Sequence, residues 1–271
     1  MTRRASLPRG VAAIVICAIQ LVPLYITLTV ALKPQTDLSS YWALPVRAAW
    51  SNFARAVESG GLIRAFANTA AITAASTALV VLLAAMAAYP LARSGSRLNK
   101  TVSSFVLSIM MVPALSLLVP LYVLLVRMRA VSTYWGITLV HVAFNLPLAI
   151  FLFTNFIKTI PRELDEAAVI DGSSIYGIYY RIILPLLKPV TVTVIILTSV
   201  AVWNDFQYSL YFLQRPSMRV VTLSISSFFA TSGSDPHVAA AGAILAILPV
   251  TLLYVFLQRY FVKGMVDSAL K

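Results

Sequence analysis

Charge is scarce in this 271-residue chain: Asp, Glu, Lys and Arg together make up 11% of it, while 60% is hydrophobic. An ordinary soluble domain carries about 25% charged residues, so a soluble globule is excluded. Cysteine is nearly absent. The single Cys17 can form no intrachain disulfide and, inside an apolar run, reads as a small packing residue. The only two histidines, His141 and His237, fall in different segments, and no H-E-x-x-H pair or Cys/His cluster marks a metal site. No G-x-S-x-G elbow and no G-x-x-x-x-G-K-[ST] phosphate loop occurs. The chain therefore lacks the sequence marks of an enzyme. Acids are few as well, 9 against 21 basic residues for a formal charge of +12. In a soluble protein that excess would suggest nucleic acid; the placement of the charges argues otherwise.

What is present is long apolar runs. Six windows, 11–32, 67–91, 101–126, 133–157, 190–213 and 238–262, contain Asp205 and Arg259 as their only charged side chains. At about 1.5 Å per residue each can cross a hydrocarbon core of roughly 30 Å as a helix. The expectation is an all-α, polytopic membrane protein with six transmembrane helices, residues 1–271 forming a single transmembrane domain, since lipid tolerates only segments that satisfy their own backbone hydrogen bonds. Within the second window Ala67, Ala71 and Ala75 read as helix-packing positions.

Arg3, Arg4 and Arg9 precede the first window like the basic region of a signal peptide. The run is longer than a signal core of about 7–15 residues and leads into Lys33-Pro34 without a small-x-small site, which argues against cleavage. With the N-terminus inside, thirteen basic residues face the cytoplasm and eight face outward. Both termini are thus expected in the cytoplasm. The outer segment 33–66 carries Tyr41, Trp42 and Trp50, rings suited to a membrane interface, and Ser51 can cap a short helix ending at Gly60-Gly61. A second outer loop, 214–237, is rich in Ser and Thr; either loop reads as a partner surface or as a solvated connection.

The inner loop 158–189 is patterned. Pro161 suits a first helical position, Glu163, Asp165 and Glu166 place negative charge at the positive helix end, and Gly172 can close the helix in a left-handed conformation. Ser173 or Ser174 then caps a second helix running to Leu184-Pro185. The result is a helix-turn-helix on the cytoplasmic face. Ala167-Ala168 offers a surface that another protein can approach closely, and Tyr176, Tyr179, Tyr180 and Ile182 an apolar stripe. An amphipathic pair resting on lipid head groups is the competing reading.

The run Glu166-Ala167-Ala168, three residues, Gly172, nine residues, then Ile182-x-Leu184-Pro185 resembles the EAA motif of the membrane permease subunits of ABC importers. Its surroundings, Ile160-Pro161-x-Glu163-Leu164-x-Glu166-Ala167-Ala168-x-Ile170-Asp171-Gly172, are similar to the MalG-like carbohydrate-uptake branch. The resemblance extends through Leu32-Lys33-Pro34, Ala87-Ala88-Tyr89, Pro120-Leu121-Tyr122, Trp203-Asn204-Asp205-Phe206 and Gln258-Arg259-Tyr260-Phe261. It departs at Arg127-Met128-Arg129-Ala130, where that family has a Leu-Gly-rich turn. The resemblance implies a multi-pass subunit of a prokaryotic cytoplasmic membrane that pairs with a second permease subunit. It further implies two ATPase subunits, which bind ATP and magnesium, an extracytoplasmic solute-binding protein, and import of a sugar-like solute. This chain itself would bind no cofactor and no nucleic acid. Glu166, Ala167, Ala168, Asp171, Gly172, Ile182, Leu184 and Pro185 would form the element that couples to the ATPase.

Intramembrane polar residues mark a candidate solute path. His141 and Asn145 are four apart and share a helix face, and Trp203, Asn204, Asp205 and Tyr208 cluster in the fifth window. They offer the hydroxyl-binding groups and apolar platforms that sugars need; bonding between helices is the structural alternative. An ion-gradient-driven secondary transporter is the rival function. It would place ionisable groups at the membrane midplane, and Asp205 is the one carboxylate within the windows.

Overall fold

The structure, a computed structural model, describes residues 6–59, 61–230 and 235–269, with side chains described for 10–58, 61–229 and 235–258. Gly60 and the N-terminal Arg3 and Arg4 lie outside the described residues, as do the side chains of Arg9 and Arg259. Every element among the described residues is helical, as composition predicts. The order is α1 (Ser6–Leu32), α2 (Ser51–Ser59), α3 (Leu62–Arg93), α4 (Arg97–Ile109), α5 (Leu118–Arg127) and α6 (Tyr134–Thr159). There follow α7 (Glu163–Ile170), α8 (Ile175–Gly177), α9 (Leu184–Leu186), α10 (Lys188–Trp203), α11 (Gln207–Phe212), α12 (Val221–Ala230) and α13 (Pro236–Ala269).

Among the described residues, four stretches are long and apolar enough to cross a membrane: Gly10–Leu32, Leu62–Arg93, Tyr134–Thr159 and Pro236–Gln258. Two more spans arise only if bent pairs are counted, Arg97–Ile109 with Ala114–Arg127 and Ile175–Leu186 with Lys188–Trp203, bent by 93° and 71°. The window 101–126 is therefore not a straight rod; the second bend falls at Leu187, ahead of the window 190–213, which is interrupted instead between the end of α10 at Trp203 and the start of α11 at Gln207. Pro113 explains the first break: it has no amide hydrogen to donate, and it sits extended at ψ 121.

The chain forms two compact units, Met1–Phe66 with Val221–Pro249, and Ala67–Val220 with Val250–Lys271. In the first, Ala31, Ala56, Leu62, Val238 and Ala241 form the buried centre, with Phe53 and Phe228 packed against it. The last carbonyls of α1 would be orphans. Asn52 Nδ2 donates to Ala31 O and Lys33 O at 2.9 and 2.8 Å, the Ala49 amide donates to Leu32 O, and His237 Nδ1 stands 2.9 Å from Val30 O. The α1 flank remains apolar and exposed at Ile14, Ile16 and Ile19, as a lipid-facing helix requires.

In the second unit, Val80, Ala84 and Ala88 of α3 pack with Ala149, Phe153 and Ile157 of α6 and with Ile183, Leu187 and Val194. Alanine permits the close approach. Ala67, Ala71 and Ala75, by contrast, lie on the exposed face of α3 instead of the packed one. The buried face there is Asn68, Thr69, Ile72, Thr73, Ser76 and Thr77. Polar groups gain more from the protein interior than alanine does, because lipid offers them no hydrogen bond: Thr77 Oγ1 lies 3.2 Å from Ser199 Oγ, and Asn68 Nδ2 donates to Ser217 O and Arg219 O.

Candidate functional site

The patterned inner loop folds as two helical pieces about a turn. α6 ends at Thr159, its cap Ile160 leads the chain out extended at ψ 127°, and α7 begins at Glu163, two residues after Pro161. Glu163, Asp165 and Glu166 occupy its first turn, where the helix dipole favours negative charge. Gly172 closes it at φ +77°. The Gly172 and Ser173 amides donate back to Val169 O and Ala168 O at 3.0 and 2.9 Å, satisfying the terminal carbonyls. Ser174 caps the next piece, its Oγ accepting from the Gly177 amide at 3.2 Å. A π-helical stretch, Ile178–Ile183, then leads into α9.

Exposure divides this loop into two faces. Glu166, Ala167, Asp171, Gly172, Leu184 and Pro185 are exposed, together with Val169, Ile170 at 86% and Tyr176 at 73%. Ala168 is buried in the unit's own core, and Ile182 is half-buried. The expected alanine pair and aromatic stripe are therefore each split: Ala167, Tyr176 and Tyr180 face out, while Ala168 and Tyr179 pack inward. Tyr179 sits 5.6 Å, centroid to centroid, from Tyr89.

Two residues of α3, Tyr89 and Arg93, lie beneath α7. Tyr89 Oη donates to Asp165 Oδ1 at 2.7 Å, and Arg93 Nη2 lies 2.7 Å from Asp165 Oδ2, a charge contact outside hydrogen-bond alignment. Arg93 Nη1 donates to Ile160 O at 3.0 Å. Tyr89 and Arg93 are spaced i, i+4 at the end of a predicted span, which is the sequence signal that pairs them. Above them a cleft of about 300 Å³ is lined by Arg162, Glu166, Val169 and Ile175.

The second group lies at the break after α10. Asp205 follows the α10 cap, Asn204, and its carboxylate accepts from the Ser209 amide at 2.8 Å, the Ser209 hydroxyl at 2.7 Å and the Tyr208 amide at 3.1 Å. His141 Nε2 approaches the same carboxylate to 3.8 Å. Tyr208 stacks on Phe144 with centroids 4.9 Å apart. Asn145 turns back to donate to His141 O, and the exposed Asn204 donates to Val200 O. Trp203 is half-buried. His141, Asp205 and Tyr208 thus converge, while Asn145 and Asn204 spend their amide hydrogens on their own helices.

The turn after α5 keeps the geometry of a glycine turn without glycine. Arg129 is left-handed at φ +55°, and the Ala130 amide donates to Leu125 O at 2.8 Å.

Residues 80–267 match the family described as "Binding-protein-dependent transport system inner membrane component". The chain is 41% identical over 261 residues to the melibiose/raffinose/stachyose import permease protein MelC of Bacillus subtilis (strain 168), covering 96% of this chain and 94% of that one. It is 31% identical over 238 residues to the maltodextrin transport system permease protein MdxG of the same organism, covering 88% and 84%. A chain in the crystal structure of a bacterial ABC transporter that imports the acidic polysaccharide alginate superposes with a TM-score of 0.80. At 20% identity over 96% of this chain and 99% of that one, the likeness shows a shared fold.

Proposed function

From the premise that this chain belongs to the binding-protein-dependent inner membrane component family, the multi-pass permeases of ABC importers, we propose that it carries an oligosaccharide inward through the bacterial inner membrane. The chain is not itself catalytic. It serves as one transmembrane domain beside a second permease subunit, and an extracytoplasmic binding protein delivers the solute to it. ATP and magnesium act on two separate ATPase subunits, which seat against the exposed face of α7. Glu166 offers that partner a carboxylate, Ala167 lets it approach, and Gly172 and the Leu184-Pro185 exit set the angle of the loop. The outer cluster His141, Asp205 and Tyr208 faces the solute, with Asn145, Trp203 and Asn204 at its edge.

The observation that carries the sugar assignment is the 41% identity to MelC across nearly the whole of both chains. Against a gradient-driven carrier stands the engagement of Asp205, the one carboxylate of the apolar windows, by three donors of its own chain. The decisive experiment reconstitutes this chain in proteoliposomes with its second permease, ATPase and binding protein and follows labelled raffinose. Uptake should stop when ATP is removed and survive collapse of the proton and sodium gradients. Gradient-dependent uptake by this chain alone would overturn the reading.

A further inference from the structure

α7 is only eight residues long, and it is joined to its neighbours at two non-helical points: the extended Ile160 on one side and the left-handed Gly172 on the other. A short helix between two such joints is free to swivel unless side chains hold it. A push on its exposed face would then be absorbed in the loop. The restraint comes from below. Asp165 points away from the exposed Glu166 and Ala167, and both its oxygens are engaged by α3, Oδ1 by Tyr89 and Oδ2 by Arg93, each at 2.7 Å. Arg93 reaches at the same time to the carbonyl of Ile160, the cap residue of α6, at 3.0 Å. One guanidinium therefore joins the ends of two long membrane helices to α7.

These groups are mostly withdrawn from solvent, with side-chain exposures of 12% for Arg93 and 17% for Asp165. In so sheltered a site, removing either partner leaves the other charge poorly solvated, so each depends on the other more than the two halves of a surface ion pair do. Ala168 and Ile178, buried beside it, seal the same face.

We propose that Arg93 and Tyr89 are positioning residues that lock α7 through Asp165 to the inner ends of α3 and α6, so that movement of α7 by the ATPase is delivered to those helices. This inference rests on the reading of α7 as the ATPase-facing element.

The test is a double-mutant cycle on the fully assembled transporter in proteoliposomes, with Arg93→Gln, Asp165→Asn and the double variant, and Tyr89→Phe as a milder probe. Two quantities are read: ATPase subunits retained per permease, and labelled raffinose taken up per ATP hydrolysed. Retention should stay near wild type. Uptake per ATP should fall about fivefold in each charge variant, within the range that residues of a coupling network carry. The double variant should be no worse than either single, and Tyr89→Phe should fall by a smaller factor. Additive losses in the double variant, or an unchanged uptake-to-ATP ratio in the singles, would overturn the lock while leaving the α7 reading intact. Loss of ATPase subunits in parallel with uptake would make the cluster a scaffold of the docking face, and also overturns it. If the wild-type complex itself hydrolyses ATP without linkage to uptake, the α7 reading fails first, and that outcome is distinct from the others.

Discussion

Asp205 lies directly behind the last turn of α10 and accepts from Ser209 at both its amide and its hydroxyl, at 2.8 and 2.7 Å. This pairing ends one helix and starts the next. It also explains why an apolar window that runs on to residue 213 does not run on as a helix: the carboxylate competes for the amides of Tyr208 and Ser209 and turns them into the first donors of α11.

Two substitutions separate the cap from the charge. Asparagine caps about as well as aspartate, so Asp205→Asn should keep the yield and thermal midpoint of the purified chain close to wild type. Asp205→Ala should cost about 1–2 kcal/mol, read as a lower midpoint. Because His141 and Tyr208 meet the same carboxylate, Asp205→Asn should change the KM for solute in assembled transporters. Unchanged uptake kinetics in a fully assembled Asp205→Asn complex would confine the residue to the cap.

Much of this architecture is legible in the sequence because lipid imposes a simple rule on it. Segments without charge must be helical, and the loop 158–189 announces its own turn through Pro161, the three acids and Gly172. The bends are harder to read. Pro113 breaks its window, whereas Pro90, Pro147 and Pro249 lie inside continuous helices. Membrane helices tolerate proline where neighbouring groups satisfy the freed carbonyl, and that depends on tertiary packing. Which face of α3 is buried was equally hidden, since alanine and threonine both suit a close helix contact and only the partner helix distinguishes them. The hold of Arg93 on Asp165 joins residues far apart in sequence, and no local pattern encodes it.

Gly172 gives a prediction on the exposed loop. A Cβ there would meet nothing within 4 Å, so the cost of substitution comes from its φ of +77° alone. Gly172→Val should cost about 1–3 kcal/mol at that backbone, while asparagine, which tolerates the left-handed region, should be nearly neutral. Both variants should insert normally. Solute-stimulated ATP hydrolysis should drop in Gly172→Val and persist in Gly172→Asn; equal activity of the two would show that the backbone at this joint does not matter.

The turn after α5 can be improved. Arg129 holds a φ of +55° that glycine adopts without strain, so Arg129→Gly should stabilise the purified chain by about 0.5–1 kcal/mol. Gly136 nearby is the opposite case. A Cβ on it would stand 2.2 Å from Ala130 O, a backbone atom that cannot swing aside, so Gly136→Ala should lower the thermal midpoint sharply. A rise for Gly136→Ala or a fall for Arg129→Gly would contradict this account of the turn.

Lys33, fully buried, is the anchor of the outer segment. Tyr25, Thr29 and Lys33 share one face of the α1 end at intervals of four. They donate to Trp42 O, to Tyr41 O, and to Ser39 O and Ser40 O respectively, with a further Lys33 bond to Ser39 Oγ. Replacing Lys33 by methionine keeps the stem but strands the Ser39 and Ser40 carbonyls, a loss of about 1–3 kcal/mol that should appear as faster amide exchange across 39–46. Asp37 adds an acid dependence. Hydrogen bonds from Ser39, and then the Lys33 ammonium 3.9 Å away, hold its carboxyl below the ordinary aspartate range. A depressed folded-state pKa stabilises the loop fully above the unfolded value of about 3.9, and that contribution disappears as pH falls below it. Tryptophan emission from the segment, which holds Trp42 and Trp50, should therefore stay flat from neutral pH down to about 4 and shift only below that. Asp37→Asn should flatten the acid limb. A transition centred near pH 6 that survives Asp37→Asn would assign the acid response to a histidine and overturn the role given to Asp37.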